Sequence, residues 1–482
     1  MLKKLNRQTF SHYLDSEPSK IILFGEGNFL RAFIGFIVEN LNRTSQFNGV
    51  ITAVQPIDKG MSELINSQDG LYTIITKGLL DKRTINTSKL IHSLKEVINP
   101  YVNHKSFLKL AEDENYKIVI SNTTEAGISI SSGDEFHAKP PISYPAKLTQ
   151  LLYKKWLIKS KPFIFLPCEL IEDNAQKLLN TIITTAKKWH LEADFINWVK
   201  NDNIFCSTLV DRIVPGYPKN QANQIWQELG YQDELLVETE PFLLWVIEAN
   251  QETKNKILKH LPLDKFNSGQ IIFTDDLSAY RTRKVSLLNG SHTFMVPLGL
   301  LSNINTVKQV IDNPALATLV KKVMKNEISP VLDLPSQELK TYCDSVLERF
   351  SNPFIEHKLK SIALNSLSKW VTRLLPTVLL YDKKFTKLPH GIILSFAALL
   401  KVYNQADKFA INDNSEHIKQ IQNIFAENTN LSKAVEQILK LDNIWGQNLN
   451  RIPNLTNQLT FSLNLIEQNA VNLAIEKVLP KI

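Results

Sequence analysis

Five short runs rich in β-branched and aromatic residues lie in the first 275 positions, and helical patterns separate most of them. They read KIILF at 20–24, GVITAV at 49–54, YKIVIS at 116–121, PFIFLP at 162–167 and QIIFTD at 270–275. Strands with so few polar residues need apolar cover on both faces, which a parallel sheet flanked by helices provides. The sequence therefore predicts an α/β fold that begins with a Rossmann-type doubly wound sheet.

The second part of the chain has a different texture. Segments such as NTVKQVIDNPALATLVKKVMKN at 305–326 show helical periodicity, and runs typical of strands become rare. A chain of 482 residues also exceeds what one hydrophobic core usually organises. We therefore expect an NAD-binding Rossmann-type domain at 1–275 and a mostly α-helical substrate and catalytic domain at 276–482, although no linker marks the boundary.

Composition argues against several classes of protein. The net charge of +7 comes from 55 basic and 48 acidic residues that are scattered along the chain, which disfavours a nucleic-acid-binding tail. The three cysteines, Cys168, Cys206 and Cys343, form no CxxC pair, which disfavours a disulfide framework or a zinc site. Neither a signal peptide nor a membrane span is indicated. We expect a cytoplasmic monomer or small homo-oligomer that binds a small molecule and no metal, nucleic acid or membrane.

The stretch KIILFGEGNFLRAF at 20–33 places a glycine turn between a strand and a helix. Gly25 and Gly27 would let backbone N–H groups approach a pyrophosphate, and Asn28 is expected to cap the helix. Leu30 stands where a third glycine is usual, and Glu26 would repel phosphates unless it points towards ribose hydroxyls. A purely structural turn is an equal alternative. The expected cofactor contacts of this stretch are Ile22, Phe24, Gly25, Glu26, Gly27, Asn28, Phe29, Leu30 and Arg31.

Two other strand ends bear on the cofactor. An acid at the end of the second strand typically binds the adenosine ribose of NAD. Here Asp58 comes about three residues late and Lys59 follows it, so the preference leans only slightly to NAD. Asn122 and Thr123 follow the third run, where a nicotinamide would lie, although they are also suited simply to end the sheet.

A second motif, YRTRKVSLLNGSHTF, occupies residues 280–294. In a regular α-helix Lys284, Asn289 and His292 would lie at about 0°, 140° and 80° around the axis, on one side of the helix. Reduction of a carbonyl needs a proton donor beside the oxygen and donors that hold the developing alkoxide. The three side chains fit those needs, although solvent-facing or capping roles are the commoner alternative for such residues.

Three neighbours refine this prediction. Arg281 and Arg283 would favour the neutral form of a nearby lysine amine by charge repulsion. Gly290 lies within the predicted helix, where glycine costs about 1 kcal/mol relative to alanine. Its presence suggests that another part of the backbone approaches closely.

Together, and in this order, GEGNFLRAF and KVSLLNGSH resemble the GxGxFxRA and KxxxxNxxH motifs of the polyol-specific long-chain dehydrogenase, or mannitol dehydrogenase, family. The stretches SNTTEAGI at 121–128 and VDRIVP at 210–215 agree with it. The resemblance implies an NADH-dependent, reversible, metal-free reduction of the ketone of D-tagaturonate to D-altronate. Fructuronate reduction and mannitol oxidation are the alternatives within the family, and a non-catalytic nucleotide-sensing scaffold is the alternative outside it.

The resemblance also implies roles for the motif residues. Lys284 matches the family's general acid/base, Asn289 its oxyanion donor and His292 a substrate-orienting residue. The resemblance places the active site in a cleft between the two domains.

Three further residues are implied to bind the substrate. Asp211, in VDR, matches an acid that contacts hydroxyls or positions the lysine, with an ion pair to Arg212 as the alternative. Lys369 matches a basic substrate-binding residue, and Arg373 lies one turn further on. A uronate carboxylate needs such a cationic clamp, although the two cations are also compatible with a solvated helix face.

One position departs from the family pattern. Mannitol-type members carry Cys-Asp-Asn after the fourth strand, and that asparagine shares in oxyanion stabilisation. This chain reads Cys168, Glu169 and Leu170 instead. Either Asn289 acts without that partner, or Asn174 or another donor replaces it.

Overall fold

The computed structural model describes residues 2–11, 13–124, 126–266, 270–468 and 471–482. The chain divides into two compact units, Met1–Leu277 and Ser278–Ile482. Over the described ranges, every helix is too short or too polar to cross a membrane.

The first unit is built around a six-stranded sheet in which all neighbouring strands run parallel, in the order β6-β3-β2-β7-β8-β9. Smaller sheets pair β12-β4-β5, β10-β13-β14 and β1-β11. The strands are β1 Lys3–Lys4, β2 Ser19–Phe24, β3 Val50–Val54, β4 Tyr72–Leu80, β5 Arg83–Ile91, β6 Leu94–Ile98, β7 Ile118–Ser121, β8 Ile164–Pro167, β9 Ile204–Phe205, β10 Thr208–Asp211, β11 Tyr231–Gln232, β12 Val237–Thr239, β13 Leu244–Glu248 and β14 Ile271–Thr274.

Helices cover both faces of the large sheet. The helices of the first unit are α1 Asn28–Leu30, α2 Phe36–Thr44, α3 Ser62–Ser67, α4 His104–Lys109, α5 Tyr144–Leu157, α6 Asn174–Lys188, α7 Ala193–Asn201, α8 Ala222–Leu229 and α9 Gln251–His260. Alternate residues of β2 enter two separate cores: Ile21 joins the core that contains α2, and Ile22 joins the core that contains α5 and α6. Burial on both sides explains the nearly unbroken apolar strands and confirms the predicted Rossmann-type fold.

One strand prediction needs correction, and one pair of strands was missed. The run QIIFTD does form a strand, β14, but it pairs with β13 in a separate mixed sheet rather than extending the large parallel one. The long antiparallel hairpin of β4 and β5 was not predicted. An apolar run indicates that a strand is buried but not which strand it pairs with. Strand β5 is too polar to show the apolar pattern of a buried strand.

The second unit is helical, with no sheet within the described residues 278–468 and 471–482. Its core is α18, which is almost entirely buried and packs against α11 and α23. The helices are α10 Ser278–Arg283, α11 Gly290–Leu301, α12 Val307–Asp312, α13 Pro314–Lys322, α14 Ser336–Phe350, α15 Leu359–Ile362, α16 Ser366–Arg373, α17 Leu375–Phe385, α18 His390–Asn404, α19 Ala406–Phe409, α20 Ser415–Glu427, α21 Leu431–Leu439, α22 Asp442–Trp445, α23 Leu455–Gln468 and α24 Val471–Val478. The predicted mostly helical second domain is confirmed.

Three π turns interrupt the described helices, at Arg31–Gly35, Lys284–Asn289 and Val323–Ile328. A π turn is a wider helical turn with i→i+5 hydrogen bonds. Such turns are rare in proteins, and many of those that occur lie at functional sites. The first joins α1 to α2 and the second joins α10 to α11. Both of the sequence motifs therefore run through a π turn.

Candidate functional site

The carboxyl ends of four parallel strands meet at one edge of the large sheet. The N–H of Gly25, after β2, donates to Val54 O at 3.0 Å, and the N–H of Asn122, after β7, donates to Phe24 O at 3.1 Å. Beyond β8, the N–H of Cys168 donates to the last carbonyl of β7 at 2.7 Å. Open α/β sheets bind ligands outside this edge, so the glycine turn lies where a cofactor would be expected.

The two glycines of the turn differ in what requires them. Gly25 has φ +114°, and a Cβ there would lie 3.0 Å from both Asn122 O and Leu30 Cδ1. Gly27 has an ordinary φ of −67°, and a Cβ there would meet no atom within 4 Å. The protein's own packing therefore needs a glycine at 25 but not at 27. Open space before a helix N-terminus is what a bound phosphate requires, which favours the nucleotide-binding interpretation over the purely structural one.

The helix after the turn starts without a side-chain cap. Gly27 is the N-cap residue and makes no side-chain capping bond. The predicted capping role of Asn28 is wrong, because its Oδ1 accepts a hydrogen bond from Arg31 Nη2 at 2.7 Å. The first N–H groups of a helix have no acceptor within it, so those at the start of α1 are suited to an anionic ligand.

Three of the expected cofactor contacts face the interior instead. Arg31 is 2% exposed, and its guanidinium donates to Leu235 O at 2.6 Å and to Glu26 O at 3.2 Å. The side chains of Ile22 and Phe24 are fully buried in the core. The side chains of these three residues therefore support the turn from the interior, and their contact with a cofactor stays a prediction.

The next two motif residues pack within the unit. Phe29 is half-buried and stacks on Phe33 with ring centroids 5.0 Å apart. Leu30 is 2% exposed and lies beneath Gly25. A leucine at the usual third-glycine position therefore fills space between helix and turn.

The π turn at Arg31–Gly35 leaves carbonyl oxygens that side chains from distant positions satisfy. The bonds run from Tyr72 Oη to Arg31 O at 2.8 Å, from Arg212 Nη1 to Ala32 O at 2.5 Å and from Ser93 Oγ to Gly35 O at 2.9 Å. Buried carbonyls need such partners. The turn is therefore built by tertiary contacts.

The bond to Ala32 O gives Arg212, the arginine of the VDR motif, a structural role. Besides Ala32 O, the Arg212 guanidinium donates twice to Glu240 O, at 3.0 and 3.2 Å. Burial lowers the pKa of Arg212 to about 10. Asp211 ends β10 and is 6% exposed, so the strand fixes where its backbone lies.

A buried carboxylate organises the strand ends around Asn122 and Thr123. Glu169 Oε1 accepts from Thr123 N at 2.9 Å and from Thr123 Oγ1 at 3.0 Å, and its Oε2 accepts from Ser121 Oγ at 3.0 Å. Asn122 Nδ2 donates to Cys168 O at 2.8 Å. Burial raises the pKa of Glu169. Sequence reasoning noted Glu169 only as a departure, although an acid two residues after a buried strand was the available signal.

The replacement for the family asparagine is not Asn174. Its Nδ2 donates to Pro167 O, Glu169 O and Thr208 O at 2.9 to 3.0 Å, and its Oδ1 accepts from Thr208 N at 3.0 Å. Those bonds occupy the amide in joining β8 to β10. Leu170 is 57% exposed and has no polar side-chain atom.

In the second unit the lysine motif is helical, as predicted, but not a regular α-helix. The π turn begins at Lys284 and ends at Asn289, so angles calculated for an α-helix do not describe their spacing. The middle of the turn, Ser286 to Leu288, is buried, whereas Lys284 and Asn289 are partly exposed. The turn thus buries its centre and leaves Lys284 and Asn289, at its two ends, accessible.

The expected close backbone approach at Gly290 is wrong, and Arg283 is paired with an acid. Arg283 is 3% exposed and forms an ion pair with Glu338, so its charge is compensated. Its guanidinium also lies 4.2 Å from the ring centroid of Tyr342. A Cβ at Gly290 would make ordinary contacts of 3.5 to 3.6 Å, so no close backbone approach requires that glycine.

Aromatic contacts hold the histidine of the motif. His292 is 8% exposed, and its ring lies 4.7 Å from that of Phe350 and 4.8 Å from that of His357, centroid to centroid. Burial lowers the pKa of His357. Packing against these two rings therefore restrains the orientation of His292.

One of the two predicted clamp residues reaches the lysine helix. Arg373 Nη1 donates to Thr293 Oγ1 at 3.3 Å, and Thr293 Oγ1 donates to Asn289 O at 3.1 Å. Lys369 Nζ instead donates to Ile362 O at 2.9 Å. Burial lowers the pKa of both cations, and the charge of Arg373 lowers that of Lys369 further. Both side chains are partly buried, unlike those of a fully solvated helix face.

Comparison with known proteins finds a matching family for each of the two units. The family described as mannitol dehydrogenase Rossmann domain matches residues 19–259, and the mannitol dehydrogenase C-terminal domain matches residues 276–467. Altronate oxidoreductase of Phocaeicola vulgatus is 40% identical over 479 residues, covering 98% of each chain. Altronate oxidoreductase of Bacillus subtilis is 38% identical over 481 residues, covering 99% of this chain and 98% of that one.

Two solved structures share the fold. Mannitol 2-dehydrogenase of Pseudomonas fluorescens, in a ternary complex with NAD and D-mannitol, superposes with a TM-score of 0.70 at 21% identity, covering 99% of this chain and 100% of that one. A substrate-free D-sorbitol dehydrogenase superposes with a TM-score of 0.81 at 21% identity, covering 98% and 100%. The chain therefore belongs to the mannitol dehydrogenase family and is a dehydrogenase that acts on CH–OH groups.

Proposed function

We propose that the chain is an NAD-dependent oxidoreductase that interconverts D-tagaturonate and D-altronate, in the cytoplasm and without a metal. The substrate assignment is supported most directly by the 38–40% identity, over nearly the full length, to altronate oxidoreductases. Similarity of that extent covers the glycine turn, the lysine helix and the segment with Lys369 and Arg373. Hexuronate breakdown is the metabolic context in which such a reaction belongs.

The cofactor half of the proposal lies in residues 1–275. The free space at Gly27 and the uncapped start of α1 fit a pyrophosphate. Asn122 and Thr123, held by Cys168 O and Glu169, would border the nicotinamide. When bound, NADH supplies the reducing equivalent for the ketone carbon.

The chemical half lies in residues 276–482. Lys284 gives a proton to the substrate oxygen during reduction and accepts it back during oxidation. Asn289 donates a hydrogen bond to that oxygen as negative charge develops on it. His292, fixed between Phe350 and His357, orients the substrate hydroxyls.

The remaining residues recognise the sugar acid. Arg373 provides a guanidinium whose planar donor pair matches a carboxylate, and Lys369 adds a second positive charge. Asp211 contacts substrate hydroxyls or positions the lysine. A neutral polyol has no carboxylate for this clamp, so the clamp supports a uronate over a polyol as the substrate.

Purified protein assayed with tagaturonate, fructuronate and fructose, each with NADH and with NADPH, tests the proposal. We expect the highest kcat/KM with tagaturonate and NADH. Fructuronate differs only in stereochemistry, so it is the control for hydroxyl recognition, and fructose is the control for the carboxylate clamp. A higher kcat/KM with fructuronate or fructose would contradict the proposed substrate.

The role of Lys284 predicts a pH dependence in the oxidative direction. The amine must be neutral to accept a proton from altronate, so the oxidation rate should rise as the pH becomes alkaline. The measurement is kcat for altronate oxidation from pH 6 to pH 10 under conditions where the chemical step limits the rate. A flat profile would argue against a lysine base.

A further inference from the structure

No acidic side chain ends the second strand of the large sheet, where Rossmann-type domains usually recognise the adenosine ribose. The residue after β3 is Gln55, whose Nε2 donates to Ile57 O at 2.8 Å and to Asp58 O at 2.9 Å. Its Oε1 accepts from Ser62 N at 3.2 Å. These bonds close the loop after β3 and leave Asp58 itself exposed to solvent.

A carboxylate from the glycine turn reaches this loop instead. Glu26 Oε1 accepts from the backbone N–H of Met61 at 3.2 Å. The approach is close: a Cβ on Gly60 would overlap both Glu26 Oε1 and the side chain of Gln55. The side chain of Glu26 is 6% exposed, and burial raises its pKa, so its charged form would gain from further hydrogen-bond donors.

We infer that Glu26 recognises the vicinal hydroxyls of the adenosine ribose and excludes a 2′-phosphate, in place of the usual acid at the end of the second strand. The inference rests on the proposed use of a nicotinamide dinucleotide. Two ribose hydroxyls are hydrogen-bond donors that suit a carboxylate. A 2′-phosphate carries about −1.5 to −2 charges at pH 7 and is repelled by it.

Direct titration of the full-length protein with NADH and with NADPH, by calorimetry and without substrate, tests the inference. The wild type should bind NADH more tightly than NADPH. In E26Q the ratio of the two Kd values should fall at least tenfold, because the amide removes the repulsion and one acceptor oxygen. The amide oxygen can still accept from Met61 N–H, so the turn should remain folded, as thermal unfolding of the free protein will show.

Two variants make the test specific. D58N neutralises Asp58, the exposed acid in the loop after β3, and its Kd ratio should stay within threefold of wild type. E26D keeps the charge on a shorter side chain, and it should still bind NADH more tightly than NADPH. The inference is overturned if E26Q leaves the ratio unchanged, if D58N abolishes the preference, or if E26D loses it as fully as E26Q. Wild-type protein that binds neither dinucleotide would overturn the proposed function as well.

Discussion

The glycine-turn helix of the first unit and the lysine helix of the second both pass through a π turn, but they use it in opposite ways. All five residues of the turn at Arg31–Gly35 are buried, including the arginine of the motif. In the turn at Lys284–Asn289 the centre is buried and the polar ends stay accessible. The first turn is buried by packing, and the second keeps Lys284 and Asn289 accessible at its two ends.

This difference shows that a motif mixes two kinds of residue. Arg31 looks like a ligand-binding group in the sequence, yet its guanidinium binds backbone carbonyls inside the unit. Lys284 is the first residue of the second π turn, as Arg31 is of the first, yet it stays partly exposed. Removing Arg31 should therefore affect stability, and removing Lys284 should affect catalysis.

The largest effect is expected from K284M. Loss of the acid/base group should lower kcat for tagaturonate reduction by about 10²- to 10⁴-fold. The Kd for NADH and the midpoint of thermal unfolding should stay close to wild type. K321M, which removes an exposed lysine of the same unit, is the matched control and should keep wild-type kcat. K284M that retains a tenth of the wild-type kcat would contradict the assigned role.

R31M should give the converse result. The substitution removes a buried cation and leaves Leu235 O and Glu26 O without their donor, which should lower the free energy of unfolding by about 3 to 4 kcal/mol. Urea unfolding measures this loss. R83M changes an exposed arginine of β5 and should stay within about 0.5 kcal/mol of wild type. An R31M protein as stable as R83M would break the contrast between the two turns.

Much of the fold is legible in the sequence because its signals are local. The runs that became β2, β3, β7 and β8 are apolar on both faces, and that pattern follows from double-sided burial. Strand β5 carries many polar residues and gives no such signal, and its hairpin with β4 was not predicted. The pairing of β14 depends on a distant strand, β13, that an apolar run cannot specify.

The candidate site divides along the same line. The glycine turn depends on neighbouring residues without a Cβ, so the sequence alone was enough to predict it. The π turn after it depends on Tyr72, Ser93 and Arg212, which lie about 40 to 180 positions further along the chain. The inward direction of Arg31 and the anchoring role of Glu169 likewise arise from tertiary contacts. Local patterns therefore identified the motifs but not which of their residues face a ligand.

The two units also bury carboxylates with opposite pH behaviour, near the first and third π turns. Burial would raise the pKa of Glu39, but hydrogen bonds from His92 and Arg43 outweigh it and lower the pKa to about 2. Glu327, in the π turn at Val323–Ile328, accepts only from backbone N–H groups of Gly391 and Ile392 among the described residues, and burial raises its pKa to about 7.

The sign of each effect follows from linkage. A lowered pKa stabilises the fold above the unfolded value of 4.5, and this is lost as the pH falls towards 2. A raised pKa favours the protonated folded form, so stability falls as the pH rises from 4.5 through 7, by about 3 kcal/mol. Urea unfolding between pH 3 and pH 9 should show E39Q flattening the acid limb and E327Q the neutral limb. An unchanged neutral limb in E327Q would contradict this assignment.

The smallest effect should separate the two glycines of the turn. G25A forces a Cβ onto a residue with φ +114° and against Asn122 O, so it should cost about 1 to 2 kcal/mol of stability. G27S adds a Cβ where the protein leaves open space, and serine caps a helix at least as well as glycine, so stability should hardly change. Its cost should appear in NADH binding, as a Kd about tenfold weaker, because the side chain occupies the space proposed for the pyrophosphate. Calorimetric titration and thermal unfolding of both variants measure the two quantities separately. Wild-type NADH affinity in G27S would show that the open space at Gly27 is not where the phosphates bind.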